Sequence, residues 1–455
     1  MMGTLRTLFL NPPSYAGFDG GAGSRYQACR EVRSYWYPTW LAQPAAMIAN
    51  SKLIDAPANG LNVEQVLQMA KGFELCVIHT AAPSFSNDAR VAEALKRAHP
   101  DMTVGFVGAH VAVLTEESLR AAPALDFVAR EEFDYSLLEI AQGTPLAQVP
   151  GISFRQDGAI RRNPDREIIK DVDALPSVLD IYKRDLKVEN YCIGYLQHPY
   201  LSLRTYRARS AANMIAEMAR AKELFPQVKE FFFDDDTFTA DLPRAACISR
   251  GLGRLGLTWS CNARANVPHE YLKIFKENGL RLLLVGYESG NQHILDNVHK
   301  GLRLDVSEEF SRSCRTLGIL VHGTFVLGLP GETRETIAES IRYACRLDID
   351  TIQVSPAAPY PGMELYRQAM ADKCCKPGNL ARNDRAQSCA LSYSDLSAAD
   401  IQAGVKRFYA RFYARPTPIW RMLARMTRDP EERRRRLREG REFLRYLGSR
   451  TSVAA

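Results

Sequence analysis

The chain lacks any run approaching the roughly 18 consecutive apolar residues that a spanning helix needs, which excludes an ordinary transmembrane helix. Its N-terminus, MMGTLRTLFLNPPSY, carries an apolar run too short for a signal sequence and no small-residue cleavage site. A cytoplasmic protein is expected. It also lacks C-x-x-C spacing. Its cysteines stand at 29, 76, 192, 247, 261, 314, 345, 374, 375 and 389, and only Cys374–Cys375 are close in sequence. Spacing alone therefore gives no zinc or iron–sulfur site, and scattered thiols in a reducing compartment read as free. Repeats and low-complexity tracts are absent too.

What is present is ordinary globular material, 46% hydrophobic and 24% charged over 455 residues, enough for about three structural units. The net charge of +7 is uneven. Residues 406–450 hold 15 basic and 5 acidic side chains, a local +10, which leaves the rest at −3. The basic character belongs to the tail.

Residues 1–145 alternate strand and helix signals. Apolar runs at Leu5–Leu10, Phe73–His79, Val104–Val107 and Leu125–Val128 are separated by helical patterns such as Asp88–Ala98. Runs apolar on both faces predict a parallel sheet covered on both sides, a Rossmann-like domain. Its ligand is expected beyond the C-terminal strand ends. Residues 146–185 read as a hairpin, with Asp157-Gly158 at its turn, and a linker around Asp171–Pro176. Residues 186–370 repeat strand and helix six times. The expected strands are Tyr200–Leu203, Glu230–Asp234, Leu257–Cys261, Leu282–Tyr287, Val321–Leu327 and Thr351–Ser355. That pattern predicts a partial (β/α)6 barrel with its chemistry at the C-terminal strand ends. Residues 371–455 read as a helical basic tail. The class is α/β throughout.

The expected strand ends carry FFFDDDTFT (231–239), WSCNARANVP (259–268), LVGYESGNQHIL (284–295), GTFVLGLPGET (323–333) and APYPGMELY (358–366). In this order they resemble the radical S-adenosylmethionine (SAM) enzymes with an N-terminal cobalamin-binding-type domain. The finer match includes RSYWYPTWLAQPAA (33–46), FVGAHVAVL (106–114), FDYSLLEIAQG (133–143), YKRDLKVENYCIGYLQHPYLSL (182–203) and FYARFYARP (408–416). It is similar to the hopanoid-biosynthesis-associated branch of that family. The resemblance implies SAM, a [4Fe–4S] cluster and cobalamin as candidate cofactors. It also implies a hopanoid lipid substrate, whose linked glucosamine is contracted to a cyclitol ether through a 5′-deoxyadenosyl radical. A one-electron reductant such as flavodoxin or ferredoxin would feed the cluster.

The same resemblance suggests roles at the strand ends. Asp235 or Asp236 is suited to the methionine amine, Glu288 and its neighbour Ser289 to a ribose or amine contact. Arg264 is suited to a carboxylate through its planar fork. The turn Gly328–Gly331 would let backbone approach the nucleoside. Three successive aspartates at Asp234–Asp236 read as a polar strand end more than as a metal cage, because alternate side chains point to opposite sides. Asn11-Pro12-Pro13 ends its strand and is a candidate pocket wall.

Two features depart from the family pattern. Its C-x3-C-x2-C loop is expected after the first barrel strand, between HPYLSL (198–203) and RTYRARSAANMI (204–215). Here these flanks adjoin, so the loop reads as deleted at Leu203–Arg204. By resemblance the polypeptide is expected to be a radical SAM enzyme, with a non-catalytic SAM-, corrinoid- or lipid-binding remnant as the alternative that the missing loop raises. Cys192 precedes the strand, and Cys261 reads as a buried thiol. The N-terminal domain also lacks D-x-H-x-x-G, and neither His79 nor His110 has that context. In the tail, Glu431–Arg450 places Leu437, Leu444 and Leu447 on one helix face beside Arg433–Arg436. Docking on the barrel and peripheral contact with the inner membrane face are both open. A nucleic-acid partner is not expected, since the body is slightly acidic and no binding fold is recognised.

Overall fold

The computed structural model describes residues 4–15, 34–204, 209–374 and 391–428, with 433–434, 436–438 and 440–441 in the last helical stretch. Cys29, Cys375, Cys389 and the tail positions Phe443, Leu444 and Leu447 lie outside the described residues.

The first sheet has parallel strands β1 (Thr7–Asn11), β2 (Ser51–Asp55), β3 (Leu75–His79), β4 (Thr103–Val107) and β5 (Phe127–Ala129), in the order β2-β1-β3-β4-β5. These strands are buried on both faces because helices cover both, which is why they read as unbroken apolar runs. The expected hairpin forms β6 (Ile152–Gln156) and β7 (Ala159–Arg162). It does not stand apart: β6 pairs antiparallel with β5 and extends this sheet to seven strands. β2 was not expected, because SKLID is short and polar at both ends. The polar end has partners, since buried Asp55 accepts from Asn11 Nδ2 and Tyr191 Oη, each at 2.8 Å.

The second sheet is β8 (Tyr200–Leu203), β9 (Glu230–Phe233), β10 (Trp259–Ala263), β11 (Leu280–Glu288), β12 (Leu320–Leu327) and β13 (Thr351–Pro356), parallel and in sequence order. This is the expected six-stranded partial barrel. At its N-terminal end buried Glu230 accepts from Ser260 Oγ, from Arg281 at 2.8–2.9 Å and from the Gln197 N–H at 2.6 Å. A buried carboxylate so fully paired closes that end and leaves the C-terminal end open to ligand.

An open barrel has two edges, and both are covered. At β13 the free N–H groups of Ile352 and Val354 donate to Tyr413 Oη (3.1 Å) and Tyr409 Oη (3.0 Å) on the tail helix Ala398–Tyr413. The repeated FYAR of the sequence is thus a device at helical spacing. Phe408 and Phe412 are buried, while each tyrosine satisfies one edge donor. At β8 the cover is SYWYPTW (34–40). Tyr37 Oη donates to the Tyr200 carbonyl (2.8 Å), Tyr200 Oη to the Tyr35 carbonyl (2.9 Å), and Tyr37 stacks on Tyr191 at 4.0 Å. These rings bind the N-terminal unit to the barrel in one core.

Candidate functional site at the barrel strand ends

β8 ends at Leu203, and the connection to the helix Ala211–Leu224 is short and free of cysteine. Its first residue, Arg204, lays its guanidinium over the Trp40 ring at 3.5 Å, and its Nε stands 3.9 Å from Asp234. Trp40 in turn lies 6.0 Å from the His79 ring at the end of β3. Arg204 therefore sits where the two domains meet. At the other end of the connection, buried Arg209 pairs with Glu217 and Asn213, and its carbonyl accepts from Arg244 Nε at 2.8 Å. The connection is anchored at both ends.

β9 runs into Asp234-Asp235-Asp236. Asp236 is exposed, whereas Asp234 and Asp235 are half-buried. Asn262 of β10 donates to the Asp235 carbonyl at 2.7 Å, fixing the two strand ends together. Cys261, on β10, is fully buried, and burial together with the Asp235 charge pushes its thiol well up. Cys261 packs inside the β10 strand as a buried neutral thiol.

β11 ends unusually. Glu288 lies in the left-handed region at φ 62°, after a register shift between Gly286 and Glu288. A non-glycine residue held there costs on the order of 1 kcal/mol or more and persists only where surroundings impose it. Here they include Lys300, whose Nζ is 2.7 Å from Glu288 Oε1. Gly286 makes room: a Cβ there would stand 2.6 Å from Glu288 Oε1 and 3.0 Å from Lys300 Nζ. Arg264 donates to the carbonyls of Lys300 (2.8 Å) and Gly301 (3.4 Å). Arg264, Lys300 and Glu288 thus form one linked group between β10 and β11. Lys300 carried no sequence signal because it falls in a loop outside every motif.

The remaining expected site residues take other places. Ser289 is fully buried, and its hydroxyl meets Ser340 Oγ at 3.1 Å on the helix Arg334–Leu347, so it braces the strand end from behind. Gly328 has φ 87°, its carbonyl accepts from Tyr393 Oη at 2.9 Å, and a Cβ on it would stand 2.8 Å from Ile401 of the tail helix. Its first need for glycine is close packing of that helix. Gly331, at φ 82°, is exposed, and a Cβ there would meet Asn297 Nδ2 at 2.7 Å. Immediately after Gly331, Glu332 is buried. One oxygen accepts from the Gly328 N–H, the other has no hydrogen-bond partner among the described residues, and desolvation pushes its carboxyl up to about 7.

In the first sheet, strand order reverses between β1 and β3, which end at Asn11 and His79, and Thr80 and Gly108 follow β3 and β4. Gly108 has φ 126°, and a Cβ on it would stand 2.1 Å from the Thr80 carbonyl. His110 packs against Phe85 at 5.0 Å with its Nδ1 buried and without a hydrogen-bond partner, and burial lowers its pKa. Asp88, buried nearby on the helix Phe85–Ala98, is pushed up to about 6 by desolvation.

The residues fit one part of the expected cofactor set and not another. Carboxylates, a lysine and an arginine gather at β9–β11, as a zwitterionic nucleoside requires. A cubane cluster is not fitted: among the described residues no group of three or more His, Cys, Asp or Glu could hold a metal ion.

Comparison with known proteins agrees with this architecture. A methyltransferase of uncharacterized function from Pyrococcus horikoshii is 28% identical over 410 residues, covering 83% of this chain and 88% of that protein. The anaerobic magnesium-protoporphyrin IX monomethyl ester cyclase of Rubrivivax gelatinosus is 24% identical over 406 residues, covering 81% and 70%. The structure of the radical SAM methyltransferase TsrM from Kitasatospora setae, with cobalamin and a [4Fe-4S] cluster bound, superposes with a TM-score of 0.60. It is 15% identical and covers 83% of this chain and 76% of that one, a likeness of fold. Residues 190–344, the barrel, match the radical SAM superfamily, so this part of the chain is a radical SAM-type domain.

Proposed function

We propose that this chain binds S-adenosylmethionine at the C-terminal ends of β9–β12, and that it derives from enzymes that remodel the sugar head group of hopanoid lipids. The observation that carries the binding reading is the Glu288 conformation, with its Lys300 and Arg264 partners. Asp235 or Asp236 would take the methionine amine, Glu288 a ribose hydroxyl, and Arg264 or Lys300 the carboxylate. The hopanoid substrate rests on the sequence motifs. The crevice between β1 and β3 is the proposed place of a corrinoid, held without a D-x-H-x-x-G histidine.

The cysteine-free end of β8 favours a narrower reading of this polypeptide. A [4Fe–4S] cluster supplies the electron that cleaves SAM, and its three thiolates have no counterpart after β8. The chain then holds the sulfonium cofactor intact, and a flavodoxin- or ferredoxin-type donor has nothing to reduce. Lipid access would come through the basic tail.

Calorimetry with SAM on iron-free protein tests the binding reading. Saturable binding is expected, weakened at least tenfold in Glu288→Ala, where a charge-assisted contact worth roughly 1.5–3 kcal/mol is lost. An absence of binding, or equal binding by the variant, would overturn it.

A further inference from the structure

The last helix, Pro416–Arg428, is fastened to the barrel by one side and bare on the other. Arg421 reaches Asp348 with both terminal nitrogens, at 2.9 and 2.6 Å. Arg415, just before the helix, donates to the Cys345 carbonyl at 2.5 Å. The opposite face carries Ile419 (40% exposed), Trp420 (73%) and Leu423 (45%). At 100° per residue these three span one arc about 100° wide, and Arg421 lies across from it. Single exposed apolar side chains are commonplace, but a tryptophan, an isoleucine and a leucine together on one face need a partner.

The charge around this face says which. Lys406, Arg407 and Arg411 on the preceding helix are exposed, as are Arg433, Arg434, Arg438 and Arg441 beyond it, with Leu437 at 51%. The local +10 lies on a chain whose remainder is −3. An amphipathic helix with an indole and aliphatic side chains on one side, flanked by many arginines, has the chemistry of an anionic bilayer surface. The indole suits the headgroup level, where a ring with one polar N–H is at home.

We propose that the helix Pro416–Arg428 is an interfacial anchor that seats Ile419, Trp420 and Leu423 in the surface of an anionic membrane. Its fastening at Asp348 then fixes the barrel's orientation to the bilayer. This does not rest on SAM binding or on the identity of the lipid substrate.

The test is sedimentation of the full chain with vesicles of phosphatidylcholine alone and of phosphatidylcholine mixed equally with phosphatidylglycerol, followed by Trp fluorescence. Binding is expected to the mixed vesicles, weaker at high salt, with a blue shift that Trp420→Phe removes. Trp420→Ser/Leu423→Ser is expected to bind at least tenfold more weakly while keeping the thermal midpoint and SAM isotherm of the parent. Equal binding by the double variant would overturn the proposal, because charge alone would then suffice. So would failure to bind anionic vesicles, or a dimer in solution that the double variant abolishes, which would assign the face to a second copy of this chain.

Discussion

The barrel ends its first strand and its fourth and fifth strands in opposite ways. β8 is followed by Arg204, which is set over the Trp40 ring and 3.9 Å from the Asp234 carboxylate. After β11 the chain accepts unfavourable backbone at Glu288 (φ 62°), and after β12 it turns through Gly328 (φ 87°) and Gly331 (φ 82°), where glycine takes positive φ freely. The strain at Glu288 is braced by Lys300, and the neighbouring turns pack against Ser340, Tyr393 and Ile401. The end of β8 is simple packing. A fold retains strained strand ends where they position something. The contrast supports the proposed reading, in which β11 and β12 would hold the cofactor while the end of β8 serves as an interdomain contact.

The largest expected effect comes from reversing the first half of the contrast. A C-x3-C-x2-C loop inserted between Leu203 and Arg204 should convert a chain without stoichiometric iron into one with a cluster, read by iron assay. If the inserted chain takes up no more iron than the parent, the barrel lacks more than the loop, and the comparison is too simple.

Next is the bracing of β11. Lys300→Met should leave the half-buried Glu288 carboxylate without its cation and weaken SAM binding roughly tenfold, for loss of a charge-assisted contact of about 1.5 kcal/mol. Unchanged affinity would mean the pair serves only the loop.

Buried Glu332 tests β12 through pH. Its folded pKa of about 7 lies above the ordinary 4.5, so the fold favours the protonated acid. That contribution is complete below about pH 4.5 and is lost as pH rises through 7, on the order of 3 kcal/mol in all. His322 runs the other way: burial lowers it from 6.5 to about 4, so its contribution is present above 6.5 and lost as pH falls. Denaturation of wild type and Glu332→Gln in parallel isolates the glutamate. Their stability difference should shift with pH between 4.5 and 7, and a constant difference would show that the acid is not desolvated.

The smallest effect is at Arg204. Arg204→Ala removes a partly exposed cation–π contact and a long ion pair, so a loss of about 0.5–1 kcal/mol is expected by urea denaturation. A much larger loss would make Arg204 a keystone of the domain interface.

Most strands of both sheets were readable from apolar runs such as TLFLN, LCVIH and EFFF, and the barrel strand ends because their motifs are contiguous. β2 was hidden by the polar ends of SKLID, whose partners Asn11 and Tyr191 are remote in sequence. The hairpin was visible, but not its pairing with β5, which depends on tertiary placement. At the site, Glu288 could be picked out and Lys300 could not, since only folding brings residue 300 within 2.7 Å of it. Ser289 and Gly328 looked like ligand contacts because motif position says nothing about which way a residue faces. Ser289 turns to Ser340, and Gly328 makes room for Ile401. In the tail the structure exposes Ile419, Trp420 and Leu423, and also Leu437 of the stretch the sequence pattern favours, whose Leu444 and Leu447 lie outside the described residues.

The central claim is that this barrel keeps its SAM side without a cluster. It is tested most directly by anaerobic reconstitution of the unaltered chain with iron and sulfide, then an iron count and an EPR spectrum of the reduced sample with and without SAM. The account predicts no stoichiometric iron and no cluster signal from protein that still binds SAM. A cluster signal that shifts when SAM is added would contradict it, and would mean that thiols away from β8 supply the ligands.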